Sequence, residues 1–213
     1  MRNNIFFCCP LYRIVTCGAV CLLLAACSAL PRPPDSKQYF DLGMTETRIH
    51  PLSVGVRNIE VHAPSWLMYR VMQYRLDYQQ PASRQLFRES QWMASPVEML
   101  QRRLMAYLDV GSRDGNCILK LDLDEFIQTF SAPDQSETLI AMRGVFRSEK
   151  PAQALASRRF TIQQTAPTAD ARGGVAAYQA GALELEIQIA QWLEQIGTTD
   201  AARVCGLVSD GRR

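Results

Sequence analysis

In the stretch CILKLDLDEFIQTFSAPDQSETLIAMRGVFRS, residues 117–148, Leu119, Leu121 and Leu123 alternate with Lys120, Asp122 and Asp124. Strand side chains point alternately to opposite faces, so this pattern marks a half-buried strand. Phe126 falls on the other parity. SAPDQSE (131–137) is rich in turn-forming residues, and TLIAMRGVFRS (138–148) reads as a second strand. Together they predict an antiparallel hairpin with a long tip.

Downstream, SRRFTIQQTAP (157–167) supplies a further strand and PTADARGG a loop. A long helix then spans about 173–196. Tyr178, Ala182, Leu185, Ile189, Trp192 and Ile196 share one face, and Glu184, Gln188, Gln191 and Gln195 form a polar stripe. Ala176, Ala180, Leu183, Ile187 and Ala190 make a second apolar band. So little of the circumference is polar that the sheet or a partner should cover most of it. We read Leu183 and Ile187 as a partner or packing surface.

Upstream, QYFDLG (38–43) looks like a short strand. Leu52, Val54 and Val56 alternate with polar or small residues, after which Ile59 and Val61 switch parity. A bulge or bend near Asn58 accounts for the switch. MYRVMQYRLDY (68–78) predicts a strand with a polar outer face, placed at a sheet edge. The clearest helix start is ASPVEML: Ser95 caps, Pro96 suits the first helical position, and Glu98 completes a capping box. Val97, Leu100, Leu104 and Leu108 then form an apolar stripe, with Gly111 as the stop. Trp92, just ahead of the cap, is either a partner hot spot or a packing residue. The order of elements predicts an α+β domain: a mixed or antiparallel sheet with two main helices packed on one face.

The search for chemistry predicts no enzyme. The chain has no G-x-S-x-G elbow, phosphate-binding P-loop or G-x-G-x-x-G fingerprint. Its two histidines, His50 and His62, read as surface polar residues, and no metal site or catalytic residue is expected. Asp122, Asp124 and Glu125 are a cation site, an acid/base pair or the solvent face of a strand; alternation with leucines favours the last. Arg102-Arg103 and Arg158-Arg159 read as solvated pairs. With 23 basic against 21 acidic residues, there is no electrostatic case for nucleic acid.

The N-terminus differs from the rest. Arg2 and Arg13 precede an uncharged apolar run from Ile14 to Ala26, short for a membrane span and of signal-peptide length. Leu24-Ala25-Ala26-Cys27 resembles the bacterial lipobox; the alternative is an uncleaved signal anchor. On the lipobox reading, residues 1–26 are a lipoprotein signal peptide. Cys27 carries covalent diacylglycerol and an N-acyl lipid, with no other cofactor expected. Ser28 follows it where lipoproteins retained in the inner membrane often carry Asp, which resembles the outer-membrane sorting pattern. Residues 27–37, rich in Pro and Ser after the cysteine, form a tether. A domain over 38–205 and a tail over 206–213 complete the expected organisation. Cys8, Cys9, Cys17 and Cys21 leave with the signal peptide. Cys117 and Cys205 remain, either as one disulfide in an oxidising periplasm or as two thiols.

The whole pattern resembles a known family. A lipobox, YFDLG, RVMQYRLDYQQP before QWMASPVEMLQRRL, LKLDLDEFIQTFSAPDQS and a closing AAYQAGALELEIQIAQWL occur in the order seen in the ABC-type transport auxiliary lipoproteins. Those lipoproteins accompany mammalian-cell-entry (MCE) domain systems such as the paraquat-inducible system. The resemblance implies a periplasm-facing, outer-membrane-anchored subunit that docks an MCE channel protein to support lipid transport between membranes, with no catalytic residues. The competing expectation is a stand-alone periplasmic lipid-binding lipoprotein or an accessory cofactor of an envelope synthase.

Overall fold

The computed structural model of the chain describes residues 36–43, 49–111 and 115–205. Seven strands build one mixed sheet: β1 (Gln38–Phe40), β2 (Val56–His62), β3 (Val71–Leu76), β4 (Gln85–Trp92), β5 (Cys117–Ala132), β6 (Gln135–Ser148) and β7 (Gln153–Thr165). Helix α1 (Pro96–Tyr107) lies between β4 and β5, α2 (Ala171–Gly197) follows β7, and the short α3 (Ala201–Cys205) comes last. The strand order is β1-β4-β3-β5-β6-β7, with β2 pairing beside β5. The expected signal peptide, Cys27 and the 206–213 tail lie outside the described residues.

The β5–β6 hairpin forms the spine. Its register runs from Cys117 opposite Ser148 to Ala132 opposite Gln135. Only Pro133 and Asp134 separate the strands, so the tip is tight, not long. Ser131, Ala132 and Gln135 sit within the strands despite their turn-like composition. The parity break at Phe126 has a local cause. The register shifts between Leu123 and Glu125, so Asp124 is the extra residue of a bulge. One inserted residue reverses which face every later side chain takes. Phe126 thereby returns to the face of Leu119, Leu121 and Leu123, and all four are fully buried. A matching shift between Val56 and Asn58 sets the parity of β2.

β2 and β3 share one edge of β5. β2 runs parallel to Cys117–Asp122, and β3 runs parallel to Gln128–Phe130. β3 is therefore interior, flanked by β4 and β5, and the edge position expected from its polar residues is not observed. Gln73 is buried: its amide donates to the Trp66 carbonyl (2.6 Å) and its oxygen accepts from Arg84 (2.9 Å). The strand also starts at Val71, because residues 68–70 belong to the preceding turn. β4 has no counterpart in the sequence reading. Its pattern does not alternate cleanly, with Leu86 exposed and Phe87 half-buried.

α1 begins as the cap predicts: the Glu98 N–H donates to Ser95 Oγ (3.2 Å). Val97, Leu100, Leu104 and Leu108 are buried. The helix ends four residues before Gly111, since Leu108 turns extended and bridges to His50. α2 buries the first predicted face entirely, from Tyr178 through Ile196. Both main helices cover the same face of the sheet, α2 over β6 and β7, α1 over β2. The contact leaves little room for a larger residue. A Cβ on Gly144 of β6 would lie 3.0 Å from the Trp192 ring and 3.1 Å from Phe160. Cys117, at the start of β5, and Cys205, at the end of α3, form the expected disulfide, with Cα atoms 5.1 Å apart.

Asp170 caps α2. Its carboxylate accepts from the Gly173 N–H (2.7 Å) and the Thr168 hydroxyl (2.9 Å). The Gly173 bond, ahead of the Thr168 bond and Arg172, holds its carboxyl below the usual range. A carboxyl depressed in the folded state stabilises the fold above the unfolded-state value and stops doing so as pH falls through the folded value. Asp170→Ala is expected to cost about 0.5–2 kcal/mol near neutrality. Its deficit against the wild type should shrink below about pH 4. Urea midpoints at neutral and acidic pH test this; a deficit of equal size at both would exclude the cap's titration.

Candidate functional site

The three carboxylates of β5 each face a separate cation. Asp124, carried out of the ladder by the bulge, receives hydrogen bonds from Arg143 across the hairpin, Nε to Oδ2 and Nη2 to Oδ1, both 2.8 Å, with Nε shared to Oδ1 at 3.1 Å. That hydrogen bonding, with the charge of Arg143 beside it, keeps the Asp124 carboxyl below its ordinary range. Glu125 is gripped by Arg84 through Nη1 (2.9 Å) and Nη2 (2.6 Å). Asp122 lies 4.0 Å from Lys120. The three carboxylates thus diverge to separate cations. Among the described residues, no group of three metal-ligating side chains converges. His50 meets Glu194 (2.7 Å) and stacks on Tyr107, while His62 lies 3.6 Å from Glu60.

Trp92 is a packing residue. It is 1% exposed and makes edge-on contacts with Phe126 and Tyr178, whose own rings stack with centroids 4.1 Å apart. This cluster ties β4, β5 and α2 together. Burial pushes the Tyr178 hydroxyl well above its ordinary value, with the Glu125 charge adding to it. Leu183 and Ile187 fall elsewhere. Each is 39% exposed, one helical turn apart on α2. Ala176 and Ala180 are exposed as well, while Ala190 of the same band is buried. The second apolar band is thus an exposed stripe along most of its length.

A cleft of about 350 Å³ opens where the segment after β1 meets α1. Leu42, Gly43, Met93, Met99, Arg102 and Arg103 are among its lining. Gly43 has φ of +72°, a left-handed conformation that glycine adopts without a Cβ clash. Its neighbouring carbonyls reach Arg103, which donates from Nη1 to Leu42 O (2.6 Å) and Gly43 O (3.1 Å). The same guanidinium donates Nε to Glu186 Oε1 (2.6 Å) and Nη2 to Oε2 (3.1 Å). Both side chains are buried, at 9% and 1% exposure. Arg103 is therefore structural, not the solvated residue its pairing with Arg102 implied; Arg102 remains exposed. Glu186 escaped the sequence reading altogether. The available signal was a lone carboxylate interrupting the buried face of α2.

The cleft is lined chiefly by apolar side chains and holds neither a thiol nor a histidine.

No family model matches the sequence, and no curated protein matches it. The fold does match solved structures. Protein XCC0632 from Xanthomonas campestris, described under the family model DUF330, superposes with a TM-score of 0.65 at 15% identity, covering 77% of this chain and 99% of that one. A crystal structure of an uncharacterized protein matches with a TM-score of 0.59 at 14% identity, over 74% of this chain and 99% of that one. The chain thus shares the α+β fold of these proteins.

Proposed function

We propose that this protein is a membrane-anchored periplasmic lipoprotein that docks the MCE channel protein of an ABC-type transport system at the outer membrane and supports lipid transport between membranes. The observation that carries the reading is the exposed Leu183–Ile187 stripe on a 27-residue helix whose other faces are buried or polar. An apolar stripe left open to solvent fits a contact surface. The lipobox around Cys27 supports the anchor, and the ordered motifs of the auxiliary lipoproteins supply the partner's class. On this reading the protein is not an enzyme and needs no cofactor beyond its lipid.

The test is affinity purification of the lipidated protein from crosslinked envelopes, followed by mass spectrometry of proteins and lipids. Recovery of an MCE protein supports docking. Leu183→Arg with Ile187→Glu should abolish that recovery while shifting folding stability by no more than about 0.5 kcal/mol per site, as exposed positions do. Phospholipid recovered without an MCE protein would overturn docking in favour of a lipid carrier.

A further inference from the structure

Between β2 and β3 the chain makes one helical turn, Ser65–Leu67, and with the two residues that follow it presents three large apolar side chains to solvent. Trp66 is 50% exposed, Met68 52% and Tyr69 62%, whereas Leu67 between them plugs the core at 1%. Arg70, exposed, follows directly. The turn is held by its own backbone, Leu67 N–H to Pro64 O (2.9 Å) and Met68 N–H to Ser65 O (3.1 Å), and by Gln73 on the Trp66 carbonyl. Its side chains are therefore displayed from a fixed frame, with little ordering left to lose on binding. Trp and Tyr favour the boundary between hydrocarbon and headgroups, where the ring is buried and its polar atom stays wet. A neighbouring guanidinium matches the phosphates found there.

The tether limits how far from the lipid anchor this turn can lie. Gln38 of β1 pairs with Ser90 of β4, and Phe40 with Trp92. On the opposite edge of β4 the Trp92 N–H donates to Arg70 O (2.8 Å). The tether junction and the turn thus grip one strand from its two sides. They are offset by two residues along it and two strand spacings across it, a separation of about 12 Å. Cys27 lies eleven residues before Gln38, which limits the lipid-to-sheet distance to about 36–40 Å at full extension.

We infer that the Trp66–Arg70 turn is a second membrane contact, seated in the headgroup region of the phospholipid leaflet that holds the Cys27 lipid. The inference rests on the anchored reading proposed above. Two contacts, the lipid and the turn, restrain the domain against the leaflet where one would leave it free to rotate.

Tryptophan fluorescence of the full-length lipidated protein tests this. The chain has three tryptophans, and Trp92 and Trp192 are buried at 1% and 5% exposure, so Trp66 reports the surface. Trp66→Phe isolates its emission by difference. The protein is reconstituted into floating vesicles of phosphatidylethanolamine and phosphatidylglycerol, with plain or brominated acyl chains. Insertion predicts a blue-shifted Trp66 component that loses roughly half its intensity or more to the bromines, as a ring at the interface should. Protein that floats while Trp66 stays as open to acrylamide as in detergent overturns the turn's role and leaves the anchor standing. Protein that fails to float overturns the anchor and the turn together. Shielding of Trp66 only after an MCE protein is added also overturns the inference, making the turn a protein contact.

Discussion

Glu186→Ala is expected to lower folding stability by about 3–5 kcal/mol, the scale for breaking a buried ion pair. The carboxylate accepts two hydrogen bonds from Arg103 at 2.6 and 3.1 Å and is 1% exposed. Removing it leaves a largely buried guanidinium without its counter-charge, with the carbonyls of Leu42 and Gly43 as its remaining hydrogen-bond partners. The cost comes from the charge left behind rather than from the net worth of the pair. A double replacement, Arg103→Met with Glu186→Met, should therefore recover most of the loss, because two apolar groups of similar volume leave no buried charge. Urea midpoints of the two single variants and the double variant, with the disulfide intact, measure the coupling. Single variants within about 0.5 kcal/mol of the wild type would show that the pair is hydrated and that its position between α1 and α2 carries no energetic weight. The consequence reaches the surface as well. Arg103 pins the Leu42–Gly43 segment that follows β1 and lines the cleft, so the same variants should loosen the cleft before they unfold the domain.

Replacing both Cys117 and Cys205 with serine is expected to cost up to about 4–5 kcal/mol, from the chain entropy of a loop closed across 88 residues. Both half-cystines are fully buried, and the bond ties the first residue of β5 to the last of α3. The Asn116 N–H also donates to the Cys205 carbonyl (3.1 Å), so the junction is set by backbone as well as by sulfur. Reductant should lower the wild-type urea midpoint to near that of the double serine variant and leave the variant unchanged. Equal midpoints of wild type and variant without reductant would exclude a stabilising bond. The expected fragility under reduction agrees with a protein matured in an oxidising compartment.

Much of the domain is legible locally. The 3.6-residue period of α2 and the Ser95–Pro96–Glu98 start of α1 are encoded within a few residues of where they act, and both helices form there. The parity breaks at Asn58 and Phe126 point to irregular ladders, and the register shifts lie there. What local reading misses has a common cause. β4 is held by β1 and β3 on its two edges, which its own uneven pattern does not reveal. β3 carries polar residues yet sits inside the sheet, because Gln73 finds partners in Trp66 and Arg84. Composition around Pro133 implied a broad tip, whereas the ladder continues to its limit at Ala132 and Gln135.

The candidate surfaces divide the same way. The sequence by itself determined the class of domain, the positions of both main helices, the Cys117–Cys205 pairing as one of two alternatives, and the apolar band containing Leu183 and Ile187, though not its exposure. These follow from short-range rules: backbone sterics, capping and the periodicity of apolar residues. Only the tertiary structure decided that Trp92 packs inside against Phe126 and Tyr178, that Arg103 closes on Glu186 eighty-three residues away, and that Trp66 points outward. A side chain's partners across such separations are chosen by sheet register and helix docking. The free energy of burying a charge or a ring depends on those partners, not on the neighbours in sequence.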